Sequence, residues 1–380
     1  MKMTAKLPIS ISLLLILTAV GGELNRDRQF LIPAAKAASS KVANGQIIQI
    51  NGEVKLDRAG RVIHPKTGTL VYPGDKLLTA NGAKVLLQCA DLTIQSVQAG
   101  QNEVNGCASE TEQAECTPGT YKCPHRSDRI AWSDRLDRIP YIISPRRTAL
   151  LNPKPILRWH PVAGAKSYTV TLEGDGVQWQ TQLSDTQVIY PGDPPLKPGG
   201  HYTLTVETDT GVSSLDEPVK PGGLGFSMLD ANQTERVELA VVEITQQSWT
   251  EQAKAIALAN LYTDNGLNAE AIATLETLVA GGWATAPIYR EIGDRFLKYL
   301  LLVSQAQHYY AKAIELADPN DLEEQTQAQE GLGQVQAALG NKDEAVRWLS
   351  LAQQGYQTLG DSKRASELDM QIAGLGSSKD

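Results

Sequence analysis

Three stretches, LANLYTDNGLNAEAIATLETLV (258–279), IGDRFLKYLLLVSQAQHYYAKAI (292–314) and LGQVQAALGNKDEAVRWLSLAQ (332–353), can be laid over one another. Each opens on an apolar residue and a small one: Leu258-Ala259, Ile292-Gly293 and Leu332-Gly333. A further small residue enters the second half of each (Ala271, Ala306, Ala345), and a bulkier one follows four positions later (Leu275, Tyr310, Leu349). Residues four apart share a helix face, so each stretch reads as two helices whose backbones approach at the small positions. From about Asn232 onward Ala, Leu, Glu and Gln dominate and apolar residues recur at the helical period. The anchor alanines are 35 and 39 apart, so insertions of one and five residues interrupt a period of about 34. Segments at about 233–247 and 362–373 are expected to cap the array.

This pattern resembles the tetratricopeptide repeat, and Pro319 ends the second unit as that family's pattern does. The resemblance implies a solenoid over 229–380 whose first helices line a concave groove. Carried over from the small-residue anchors, it selects Asn260 and Asp264, then Arg290, Asp294 and Lys298, then Glu330 and Gln334 as partner-groove residues. A groove for a C-terminal carboxylate would cluster Lys and Asn there; only Asn260 fits, so that mode is rejected. Residues 232–380 carry 11 basic and 21 acidic side chains. The expected partner is another envelope protein, or a segment of one, with a basic or mixed face. The alternative is solvated helix surface.

Upstream the period changes to two. PILRW (155–159), SYTVTL (167–172), VQWQTQL (177–183), TQVIY (186–190) and HYTLTVET (201–208) alternate apolar and polar residues between Pro and Gly clusters. Residues 148–228 therefore read as a β-sandwich with Trp159 facing inward. LKPGGHYTLTV (196–206) resembles the fibronectin type III corner, in which a buried Tyr packs its ring while its hydroxyl ties down the corner backbone. Tyr202 would have that role.

Residues 38–110 read as a small β domain with short apolar runs (Ile47, Ile48, Ile50, Val54, Leu56; then Val85, Leu86, Leu87, Leu92, Ile94) and turns at Asn51-Gly52, Gly74-Asp75 and Asn81-Gly82. The order NGEVKL, VYPGDKLLTANGAKVLLQC, ADLTIQSV resembles the FecR-type extracytoplasmic domain, with Ala90-Asp91-Leu92 where that family has an Asp-Gly turn. Between the two β regions, 111–147 forms a basic connector with six Arg from Arg126 to Arg147. Trp132, Leu136 and Ile139 suit a short amphipathic helix. It reads as a connector packed on a neighbour, or as a patch for anionic lipid or glycan.

Lys2 and Lys6 precede an apolar run from Leu7 to Val20, the order of a secretory signal and short of the roughly 20 residues a spanning helix needs. Cleavage after Ala37 is expected, leaving no stable membrane span; an uncleaved inner-membrane anchor is the alternative. Export makes Cys89, Cys107, Cys116 and Cys123 readable as two disulfides, with Cys89–Cys107 and Cys116–Cys123 preferred among three connectivities because each closes a local loop. Zinc with His125 is the other reading of these thiols; no C-x2-C pair supports it.

No H-E-x-x-H, G-x-S-x-G or P-loop pattern occurs, and the five His are scattered. No catalytic, cofactor-binding or metal residue is selected, and no cofactor is expected. A net charge of −8 carries no global nucleic-acid footprint. The order of the three regions, with ISPRRTALLNPKPILRWHPVAGAKSYTVTL (143–172), resembles a group of cyanobacterial envelope proteins. The expectation is a multidomain, exported, non-catalytic interaction scaffold, with all-β modules followed by an all-α solenoid. A FecR-like sensory relay and an envelope glycan hydrolase are the alternatives.

Overall fold

The computed structural model describes residues 42–98, 103–104, 107, 138–217 and 224–377. The expected signal segment 1–37, Cys116, Cys123, His125 and the connector up to residue 137 lie outside the described residues.

The first β module is two four-stranded sheets. One has the order β4-β1-β6-β7, from β1 (Gly45–Asn51), β4 (Leu70–Val71), β6 (Lys84–Cys89) and β7 (Ile94–Gln98). The other has the order β3-β2-β5-β8, from β2 (Val54–Arg58), β3 (Arg61–Ile63), β5 (Lys76–Thr79) and β8 (Glu103–Val104). Ile47, Val54, Leu56, Leu77, Val85 and Leu87 form its own core. Strand alternation sends the neighbours of Ile47 and Leu87 the other way. The β1–β6 register breaks between Ile47 and Gln49, and Ile48, at that bulge, is buried with Leu86 in the core of the helical region. Cys89 and Cys107 are disulfide-bonded, the first of the expected pairs.

The second module is a sandwich. Its three-stranded sheet runs β14-β11-β9, from β9 (Ile142–Ser144), β11 (Ile156–Trp159) and β14 (Gln187–Ile189). Its five-stranded sheet runs β10-β16-β15-β12-β13, from β10 (Ala149–Leu150), β12 (Tyr168–Gly174), β13 (Val177–Leu183), β15 (His201–Thr208) and β16 (Gly225–Met228). Trp159 is buried edge-on to Tyr168, with centroids 5.6 Å apart. The Tyr202 ring is buried and its hydroxyl accepts the Lys197 N–H at 2.7 Å, tying down the turn before β15.

Among the described residues eight α-helices follow. They are α1 (Ala231–Gln246), α2 (Glu251–Asp264), α3 (Asn268–Ala280), α4 (Ala286–Asp294), α5 (Val303–Leu316), α6 (Leu322–Ala338), α7 (Lys342–Leu359) and α8 (Ser362–Ser377). The pairs α2–α3, α4–α5 and α6–α7 are the three repeats, and α1 and α8 flank them. The C-terminal half is thus an eight-helix array of the tetratricopeptide type behind a β-rich N-terminal half. Ala259, Ala271, Ala306 and Ala345 are completely buried where helices meet. Asp230 caps α1, because its carboxylate accepts the Gln233 N–H while the Gln233 side chain accepts the Asp230 N–H. That reciprocal pair starts the helix before Asn232.

Both irregularities of the repeat period have a place. The single extra residue falls between Gly293 and Ala306, where α4 continues as a π-helical turn, Arg295–Tyr299. A π turn accommodates one residue more than an α turn. The five extra residues fall between α5 and α6 and lengthen α6 at its start, adding Glu323 and Glu324 to the inner helix face.

Candidate functional site

The inner helices α2, α4 and α6 carry six of the seven residues selected from the sequence, and Lys298 lies on the π turn that continues α4. Their polar face is covered by the first β module. Asn260 on α2 donates both amide hydrogens across this contact, to Gln46 Oε1 at 2.7 Å and Gln88 Oε1 at 2.9 Å. Gln46 in turn donates to Glu291 Oε2 on α4 at 2.9 Å. Thr285 donates its hydroxyl to Thr67 O at 2.6 Å, and Gln327 on α6 donates to the Tyr72 hydroxyl at 2.6 Å. Arg58, held by Asp75, also reaches Glu323 at 3.5 Å. Apolar packing completes the seat, with Ile48 and Leu86 among Ala253, Ile256, Ala257 and Ile288. Gly68 has a φ of 95°, and a Cβ there would come within 3.0 Å of Ile288 and 3.1 Å of Pro287, so backbone and close contact both disfavour a side chain.

A cleft of about 370 Å³ remains beside this contact. Asn260, Asp264, Arg290, Asp294 and Lys298 line it together with Gly45, Gln88 and Leu92 of the β module. Five of the selected residues thus converge. Glu330 and Gln334 do not join them. Glu330 is buried among Gln334, Tyr356 and Arg364, with Gln334 Nε2 donating at 2.8 Å and the Tyr356 hydroxyl at 2.6 Å, and it ties α6 to α7 and α8.

The charges in the cleft are largely paired. Arg290 donates to Glu324 at 2.9 Å and to Asp294 at 2.9 Å. Asp294 also accepts from the Tyr310 hydroxyl at 2.7 Å and lies 2.5 Å from Lys298 Nζ. Burial pushes the Asp294 carboxyl up, but Lys298 and Arg290 outweigh it and hold that group below the usual carboxylate range. Burial pushes Glu324 up to about 7 against the pull of Arg290. Asp264 is exposed at the end of α2, and Lys298 is half exposed on the π turn. These two side chains are the open part of the site.

The sequence reading did not select Gln46, Gln88, Tyr72, Glu291, Glu323 or Gln327. Two of them had a signal. Gln46 and Gln88 are polar residues inside apolar strand runs, GQIIQI and KVLLQC, and both are buried. Buried side-chain amides need partners, so their presence announces a polar contact outside the strand's own sheet. Among the described residues no cluster of His, Cys, Asp and Glu could hold a metal ion, and no helix is long and apolar enough to cross a membrane.

No family model matches the chain, and no curated protein matches it. Several solved structures do. One, described as "YrrB: a TPR protein with an unusual peptide-binding site", is 20% identical over 38% of this chain and 80% of its own, with a TM-score of 0.27. MamA of AMB-1 is 18% identical over 39% of this chain and 94% of its own, at a TM-score of 0.27. MamA of MSR-1 is 20% identical over 37% and 90%, at 0.26.

Proposed function

We propose that the protein is an exported, non-catalytic interaction scaffold of the cell envelope, which binds a segment of another envelope protein in the cleft between the first β module and the inner helices. One observation carries this reading. The inner face of α2, α4 and α6 already holds a folded protein surface through side-chain hydrogen bonds, and the cleft left beside it gathers five of the residues that the repeat pattern selects. The β module completes the groove instead of leaving it bare, since Gln88, Gly45 and Leu92 supply one wall. The open side chains, Asp264 and Lys298, are of opposite sign and suit a partner of mixed charge. Export rests on the charged-then-apolar N-terminus and on cysteines used as a disulfide. In this reading the first β module is FecR-like, on the order of its NGEVKL, VYPGDKLLTANGAKVLLQC and ADLTIQSV segments and its Pro-Gly-Asp turn. The sandwich is fibronectin type III-like, on the Tyr202 corner.

A photoreactive amino acid at Asp264, in the full chain, should cross-link a partner in envelope extract, whereas the same group at exposed Glu344 on α7 should not. The additional change Lys298→Glu should reduce the yield severalfold, more so at low salt. Equal yields from positions 264 and 344 would reject the cleft. Recovery of the chain in the cytosol with its first 37 residues intact would reject export.

A further inference from the structure

We propose that the open edge of β14 and the cavity beside it form a second docking site, for an extended segment of a partner protein carrying apolar residues at alternate positions. This surface shares no lining residue with the cleft above. β14 pairs with β11 on one side, and no described strand pairs with its other side. The register identifies the spare backbone groups. Trp159 N donates to Thr186 O at 3.1 Å and Tyr190 N donates to Pro155 O at 3.0 Å, with Val188 opposite Leu157 between them. In an antiparallel ladder the bonding residues alternate, so Val188 turns its N–H and C=O toward β11 while Gln187 and Ile189 turn theirs outward. Two donors and two acceptors at strand spacing are matched by an extended backbone, whose own groups repeat at the same interval.

The side chains specify what that backbone should carry. Ile156 and Ile189 face each other across β11 and β14 and are 54% and 63% exposed. They lie on the face turned from the sandwich core, since Leu157, the next residue along β11, is fully buried. On that same face lies a cavity of about 230 Å³, lined by Ile143, Pro155 and Ile156 from the sandwich and by Ala273, Phe296 and Leu300 from the helical array. A strand added to β14 would place alternate side chains over the isoleucine pair and toward this cavity. Glu270 and Glu276 also line it beside Arg158, while Arg146 is neutralised by Glu217, so a basic residue turned toward the cavity among the apolar ones is favoured over an acidic one.

The test uses the full chain and a fluorescent peptide of about eight residues alternating Val and Lys. Saturable binding is expected, with slowed amide exchange at Gln187 and Ile189 and none at Val188. Ile189→Pro removes an outward N–H together with one of the two exposed isoleucines, and neither is used within the sandwich, so it should weaken binding roughly tenfold at an unchanged melting temperature. Ala273→Trp fills the cavity from an exposed helix position and should weaken it severalfold. Absence of saturable binding, equal binding of a peptide with Pro in place of each Val, or wild-type affinity in both variants would overturn the proposal.

Discussion

At the scale of single residues, the helical array depends on positions with no side chain to spare. A Cβ on Gly331 would clash with the ring edge of Tyr310, which is completely buried and donates to Asp294. A Cβ on Gly333 would come within 2.8 Å of Leu349. Gly331→Ala should therefore destabilise the protein by about 1–3 kcal/mol, as overpacking does, and lower the melting temperature. Ala345→Leu, between α6 and α7, should do the same. A second residue-scale feature is Arg146, fully buried with Glu217 while its Nε donates to Leu300 O at 2.8 Å. Arg146→Met alone strands a buried carboxylate and should cost about 3–5 kcal/mol; Arg146→Met with Glu217→Leu should recover most of it. Denaturant titration of the three proteins checks both statements.

At the scale of elements, small insertions have structural consequences that the repeats alone do not show. The π turn at the end of α4 carries Arg295, Lys298 and Tyr299 into the cleft, and the lengthened start of α6 brings Glu324 to Arg290. Glu324 makes stability depend on pH. Its folded carboxyl holds a proton up to about 7, against 4.5 in a free chain, so the folded state binds more protons between those values. Stability contributed by this group therefore falls as pH rises from about 4.5 to about 7. Glu324→Gln should flatten that slope in thermal melts taken across the window. The Cys89–Cys107 bridge closes a separation of 18 residues next to β8, a two-residue strand. Replacing both by Ser should cost about 3 kcal/mol by freeing the unfolded chain. In the turn between β6 and β7, Leu92 adopts a φ of 66° where a glycine would be relaxed. Its side chain packs against the cluster of Leu229, Val237 and Leu261, which a glycine could not do.

At the scale of the whole molecule, the β module and the array share buried polar and apolar surface. Gln46 and Gln88 are the centre of the polar part, and replacing both with Ala leaves Asn260 and Glu291 without those partners. Each unsatisfied buried group costs about 1–3 kcal/mol, so the double variant should melt at lower temperature and exchange the amides of α2 faster. Faster exchange confined to the β module, with α2 unchanged, would mean that this contact does not support the helices. The same contact alters the meaning of the groove. Asn260 and Arg290 are held by the chain's own side chains and Lys298 lies against Asp294, whereas Asp264 is exposed at the end of α2.

The sequence by itself determined the helix pairs, their small-residue contacts and the inward alternation of the strands, because these follow from periodicity along a local segment. The pairing of Cys89 with Cys107 could be preferred on the same ground, as a short loop, but not distinguished from other pairings until the strands were in place. What only the tertiary structure decided is which polar residues meet. Gln46 and Asn260 are 214 positions apart, and no local pattern relates them. Glu330 and Asp294 belong to equivalent helices in adjacent repeats, yet one faces α7 and α8 and the other faces the cleft. The reason is that side-chain direction within a helix follows from the chain, but the neighbour it meets depends on how separate modules dock, and that contact is set by distant residues burying surface together.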